Sequence, residues 1–218
     1  MIMGAAMSSV DNNEEFSVNT IEEIEDLYGP PSTSAIKKQT TKIVEPGRAF
    51  IEASPFLLMA TSSESGVDCS PKGDAPGFVD ILDDQTLLIP DRIGNNRVDG
   101  IRNIISNSMV GIIFMIPGSD TTYRVNGKAR VSIDPKFLDR FIVRNKRPRA
   151  VIVVQVEEAF HHCPKAFVRS KLWSEGAKGM PDGVPNSGTF AAYRDGGDGA
   201  YAEKYEADYQ ERLQDRLY

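Results

Sequence analysis

IPDRIGNNRVDGIRNI, residues 89–104, sets an apolar strand end stopped by Pro90, a polar turn and a segment with helical spacing side by side. The turn carries Arg92, Asn95, Asn96 and Arg97 together. A helix start offers unpaired backbone N–H groups and a partial positive charge, which favour an anion. Nearby arginines add paired donors suited to phosphate oxygens, and Lys72 is available from an earlier strand. The pattern predicts a phosphate site at residues 94–97. A plainer role is also open, with Asn96 capping the helix and the arginines solvated.

Outward from this stretch the chain is mostly strand. SPFLLMATSS has the length and apolarity of a buried strand. GVDCSPKGD, GFVDIL, QTLLIP, MVGIIFMIPG, TTYRVNGKARVSI, AVIVVQVEEAF and KAFVRSKLW are β-rich pieces separated by Gly, Pro, Asp and Asn. Helices are expected from Thr20, where Thr20 and Glu23 have capping-box spacing, over Glu45–Ala53, over 97–107, and from Asp134-Pro135. Many strands with few inserted helices predict a mainly β protein, an antiparallel barrel with accessory helices, not βαβ units. The expected organisation is a loose tail at 1–18, a barrel domain with N-terminal helices at 19–175, a glycine-rich loop at 176–200 and an amphipathic helix at 201–218. That last helix places Tyr201, Tyr205, Tyr209, Leu213 and Leu217 every four residues.

With 218 residues and 40% hydrophobic content, the chain suits one sizeable domain with tails. Its two cysteines, Cys69 and Cys163, are far apart and suggest neither a disulfide framework nor a zinc site, so a cytoplasmic setting is expected. No segment reaches the roughly 18 apolar residues that span a bilayer, and no membrane partner is expected. Residues 1–40 hold seven acids and two lysines, a charge of −5, against −6 for the whole chain. An acidic arm on a nearly neutral body argues against nucleic acid as a partner.

On a strand, Thr122, Arg124 and Asn126 share one face while Tyr123 and Val125 share the other, which is suited to a core. GDGAYA at 197–202 satisfies a loose G-x-G-x-x-A pattern but follows no strand, so it fails as a dinucleotide motif. His161 and His162 point to opposite faces of a strand and are poor partners for one metal ion; no metal is expected. P-loop, G-x-S-x-G and H-E-x-x-H motifs do not occur.

The blocks SPKGD-PGFV, LLIPDR-GNNR-D--RNI, F-IPG and T-RVNG-A, in this order within residues 66–133, resemble the FMN-binding split barrel of the pyridoxamine 5'-phosphate oxidase superfamily, in its bacterial branch. HCPKAFVRSKLW extends the resemblance, which spans residues 54–173. It implies a six-stranded split barrel forming a homodimer, with FMN at the subunit interface. It implies that Asn95, Asn96 and Arg97, with Arg92 and Lys72, hold the phosphate and ribityl chain. Pro90 and Asp91 would lie beside the flavin, Ser70 and Pro71 at the ring edge, and Thr122, Tyr123 and Arg124 along the isoalloxazine. Lys171 and Trp173 match a segment that reaches the flavin from the other subunit. The implied activity is an FMN-dependent oxidoreductase acting on a small molecule. A non-catalytic protein that binds, stores or senses flavin, haem or a deazaflavin on the same barrel is the alternative. RLQDRLY at 212–218 departs from the R-L-H-D-R ending of the vitamin B6 oxidases, with Gln214 at the histidine position.

Overall fold

In the computed structural model, which describes residues 16–94 and 96–215, the chain forms two compact units, residues 1–37 and 38–218. The first two helices belong to the smaller unit. There, α1 (Ile21–Tyr28) starts at the expected capping box, with Thr20 Oγ1 accepting from Glu23 N at 3.2 Å and Glu23 Oε2 accepting from Thr20 N at 3.0 Å. A short α2 (Thr33–Lys37) follows.

In the larger unit, α3 (Glu45–Ala53) precedes β1 (Phe56–Ser63), β2 (Gly66–Gly73), β3 (Asp80–Asp83), β4 (Thr86–Asp91) and α4 (Asp99–Ser106). Then come β5 (Met109–Met115), β6 (Thr122–Ser132), α5 (Pro135–Leu138) and β7 (Ala150–His162). The seven strands form one sheet in the order β2-β1-β5-β6-β7-β4-β3, and every pairing is antiparallel. Although β2 ends the hydrogen-bonded order, Lys72 on β2 meets Asp91 on β4 at 2.8 Å, and Asp74 just beyond β2 meets Arg92 at 2.7 Å. The sheet therefore curls until its two ends approach, leaving a split between them. It is a split barrel of seven strands, one more than the resemblance implied.

The continuous apolar run of β4 has a physical reason. Leu87 and Ile89 enter the main core with Leu57, Ile112, Phe114, Val125 and Ile152. Leu88 enters a second, smaller core with Phe141, Val151 and Val153, so β4 is covered on both faces. On β6, Val125 and Ala129 are buried while Lys128 and Arg130 are exposed, the alternation of a strand with one core face. The β6–β7 register shifts between Asn126 and Gly127. A Cβ on Gly127 would overlap the carbonyl oxygen of Gln155, so only glycine fits this bulge.

Three expected elements differ. The helix expected at 97–107 starts two residues later, with Val98 as N-cap in the left-handed region (φ 49°) and no side-chain cap. Asn96 does not cap it; its Oδ1 accepts instead from Arg149 Nη1 at 3.0 Å. KAFVRSKLW, expected to be a strand, forms α6 (Lys165–Ser170) and α7 (Leu172–Gly176). Pro164 cannot donate to a ladder and stands at the N-cap of α6, and Lys171 (φ 51°) turns the chain between the two helices. The expected loop at 176–200 contains α8 (Ser187–Asp195), capped by Asn186 Oδ1 on Thr189 N at 2.9 Å and ended by Gly196 at φ 70°. The cap spacing decides this segment despite its glycines. Buried Gly188, Ala191 and Ala192 lie on α8, and Gly188 N donates to Glu206 on α9 (Gly199–Asp215) at 3.0 Å. Along α9 the tyrosines stack in sequence, Tyr201 on Tyr205 at 6.3 Å and Tyr205 on Tyr209 at 6.2 Å. Expectations about Asn95, Leu217 and most of the 1–18 tail lie outside the described residues, as does the side chain of Gln214. Among the described residues, no helix is long and apolar enough to cross a membrane.

Candidate functional site

The split opens into a cleft of about 780 Å³, within the range of roughly 300–1,000 Å³ usual for small-molecule and cofactor sites. Met59, Phe78, Ile101, Ile104 and Ile152 supply apolar walls. Ser70, Pro71 and Lys72 enter from β2, Pro90, Asp91 and Arg92 from the end of β4, and Asn96 and Arg97 from the turn before α4. Eight residues expected at the site thus line one cavity. They converge because β2 ends the sheet on one side, β4 is the second strand from the other side, and the sheet curls until the two meet.

Charge in the cleft is arranged in pairs. Lys72 Nζ contacts Asp91 Oδ1 at 2.8 Å, and both side chains are about four-fifths buried. Arg92 Nε donates to Asp74 Oδ2 at 2.7 Å and its Nη1 to the Phe141 carbonyl at 3.2 Å. Arg97 Nε donates to Asp99 Oδ2 at 2.9 Å on the exposed rim. Ser70 Oγ donates to Asp68 Oδ2 at 2.7 Å. That carboxylate lies against the first turn of α4, where a Cβ on Gly100 would come within 3.0 Å of it.

Arg149 was missed in the sequence. It lies just before β7, its backbone N donates to the Asp91 carbonyl at 3.0 Å, and its guanidinium reaches an amide oxygen, that of Asn96. Among the described residues no carboxylate forms an ion pair with Arg149. The signal available was its place at the start of a strand whose first residue, Ala150, pairs with Asp91. Asp74 was missed as the partner of Arg92 for a similar reason, since an ion pair between distant segments leaves no periodicity.

Five expected residues do not line this cleft. β1 and β5 stand between β2 and β6. Thr122 and Tyr123 are buried, 2% and 4% exposed. Tyr123 packs under α3, where a Cβ on Gly47 would overlap its ring, and its centroid lies 6.3 Å from that of Phe50. Burial pushes the Tyr123 phenol pKa up, and the hydroxyl lies near the Val44 backbone without a well-formed hydrogen bond. Arg124 stands on the outer face of the sheet, Nε donating to Asn126 Oδ1 at 3.2 Å. Lys171 forms the turn between α6 and α7, and Trp173 Nε1 donates to the Ser119 carbonyl at 2.8 Å. Asn95 is outside the described residues. No group of three His, Cys, Asp or Glu placed to hold a metal ion occurs among the described residues.

The residues fit a flat aromatic group carrying a phosphate. Apolar walls suit a ring, and Lys72, Arg92, Arg97 and Arg149, which suit a phosphate, line the same cleft as the first residues of α4. Fold and cleft define a split-barrel protein with a pocket of cofactor size. The family described as pyridoxamine 5'-phosphate oxidase matches residues 43–163, more than half of the chain, and the chain belongs to it. Solved structures with a similar fold include HupZ of Group A Streptococcus, at 22% identity and TM-score 0.44, covering 55% of this chain and 93% of that one. General Stress Protein 26 from Bacillus anthracis has 15% identity and TM-score 0.38, covering 52% of this chain and 88% of that one. The FAD binding protein from Mycobacterium smegmatis has 14% identity and TM-score 0.39, covering 56% and 97%. No curated protein matches the chain.

Proposed function

We propose that the protein is an FMN-dependent oxidoreductase acting on a small molecule, and that it works as a homodimer in the cytoplasm. The observation that carries this reading is the convergence of Ser70, Pro71, Lys72, Pro90, Asp91, Arg92, Asn96 and Arg97 on one cleft of cofactor size. FMN, when bound, supplies hydride and electron-transfer chemistry. Arg149 and Arg97, with the first-turn N–H groups of α4, hold its phosphate. Met59, Phe78 and Ile152 would exclude water from the ring, while Lys72 would donate to its polar edge, with Ser70 and Pro71 beside it.

Homodimerisation accounts for the expected residues remote from the cleft. Leu58, Ile113 and Met115 lie on the outer face with Arg124, and this half-buried apolar patch suits a second copy. In that arrangement Arg124, together with Lys171 and Trp173, acts on the cofactor held by the partner. Cys69 and Cys163 are both free thiols, which suits a reducing compartment.

An absorption spectrum of the purified protein tests the reading, repeated anaerobically with NADH, NADPH and pyridoxamine phosphate in turn. The expected result is a flavin spectrum bleached by one donor. A flavin spectrum that no donor bleaches would favour a carrier or sensor. A colourless protein that refuses added FMN would overturn the proposal.

A further inference from the structure

Four carboxylates line the cleft, those of Asp68, Asp74, Asp91 and Asp99. Asp74, Asp91 and Asp99 are neutralised by Arg92, Lys72 and Arg97. Asp68 is not: among the described residues no cation forms an ion pair with it. It is half-buried on β2, and its Oδ2 accepts from Ser70 Oγ at 2.7 Å, which leaves Oδ1 to accept from a ligand.

Register pairs Thr61 of β1 directly with Asp68, so the two side chains stand together on the cleft face of the sheet. Thr61 is 4% exposed, and its Oγ1 accepts from Asn103 Nδ2 at 3.2 Å. Among the described residues its hydroxyl proton has no acceptor. Both side chains face Gly100 in the first turn of α4, where a Cβ would stand 3.0 Å from Asp68 Oδ2 and 3.6 Å from Thr61 Oγ1. Glycine keeps this corner of the cleft open, and a methyl group would narrow it.

The corner therefore offers one proton and one anionic acceptor side by side. A phosphate or carboxylate brings acceptors only and is repelled by the Asp68 charge. An ammonium brings donors only and leaves the Thr61 proton unspent. A hydroxyl group answers both, donating to Asp68 and accepting from Thr61.

We propose that Thr61 and Asp68, set against Gly100, form a subsite that recognises an alcohol hydroxyl on a polyol chain. Two sources share this chemistry, the ribityl chain of FMN and a polyol substrate bound beside it, and only the first rests on the flavin reading. The subsite also orients its ligand, with hydroxyls at Asp68 and the phosphate at Arg97 and Arg149.

Isothermal titration of the full chain with riboflavin and lumiflavin separates the sources, because lumiflavin has a methyl group where riboflavin has the ribityl chain. Asp68→Asn removes the charge at nearly constant shape, and Gly100→Ala narrows the corner while favouring the helix. Urea unfolding checks that both variants are folded. Each is expected to weaken riboflavin binding about tenfold and lumiflavin binding by less than about twofold, which would assign the ribityl chain. If both flavins bind the variants as they bind the wild type, ribitol is added to the flavin-saturated protein and the Gly100 amide is followed by NMR. A shift that Asp68→Asn abolishes would assign a polyol substrate. Unchanged flavin affinities without that shift would overturn the subsite, as would an equal loss for lumiflavin, which has no chain to recognise. A protein that takes up neither flavin would overturn the flavin reading. Ribitol added to the protein as purified would then decide the subsite: a Gly100 shift that depends on Asp68 supports it, and no shift overturns it.

Discussion

Breaking the clasp across the split gives the sharpest test of how this barrel closes. Lys72 and Asp91 meet at 2.8 Å with side chains only 19% and 20% exposed, and they join the end of β2 to the end of β4. At that distance two unit charges attract by about 1.5 kcal/mol at the dielectric of water and about 6 kcal/mol at an effective value near 20. Partial burial puts the pair between these limits, and desolvating both ions takes back a large part. The expected net coupling is therefore about 2 kcal/mol, roughly a thirtyfold change in the folding equilibrium. Lys72→Met leaves the Asp91 charge mostly out of water and should destabilise the fold by about 3 kcal/mol. Asp91→Asn should cost less, because an amide needs no counter-charge. Urea unfolding of the wild type, both single variants and the double variant, at one protein concentration, yields the coupling directly. A coupling below about 0.5 kcal/mol, the size seen for solvent-exposed pairs, would refute the reasoning that this ion pair closes the split.

Gly47→Ala places a methyl group within the Tyr123 ring, 2.8 Å from Cε2. Overpacking should outweigh the helix-propensity gain of about 1 kcal/mol and cost about 2 kcal/mol net in urea unfolding. Arg149→Ala should lower FMN affinity about tenfold or more while leaving riboflavin affinity unchanged in isothermal titration, because only FMN carries the phosphate. An equal loss for both ligands would place Arg149 away from the phosphate. For His162, whose folded pKa is depressed by burial first and then by Lys38 and Arg124, the unfolded chain binds more protons between the folded pKa and the ordinary value of 6.5. Stability should therefore fall as pH drops below that ordinary value and level off below the folded pKa. His162→Gln should flatten this slope in urea unfolding measured across that window.

Much of the fold was legible because local rules and tertiary packing agreed. The capping box at Thr20, the helix at Glu45–Ala53 and the apolar run of β4 all stand where spacing and composition put them. KAFVRSKLW misled because a short apolar stretch has the same composition in a strand or a helix, and Pro164 decided between them. The glycine-rich segment misled in the other direction. Asn186 and Gly196 cap a helix whose small residues, Gly188, Ala191 and Ala192, form its buried side.

The sequence alone determined the mainly β class and the family, since alternation along a strand and ordered motif blocks are properties of neighbouring residues. It also marked the turn before α4 as polar and cationic. Tertiary structure decided which residues share the cleft, because a curled sheet joins β2 to β4 across residues far apart in the chain. Arg149 joined the cleft through strand register with Asp91, and Tyr123 left it through packing beneath Gly47. Register also gathered Lys38, Arg124 and His162 around Phe160. Contacts of this kind depend on how strands pair, and strand pairing is fixed by the burial of the whole core, which no local stretch encodes.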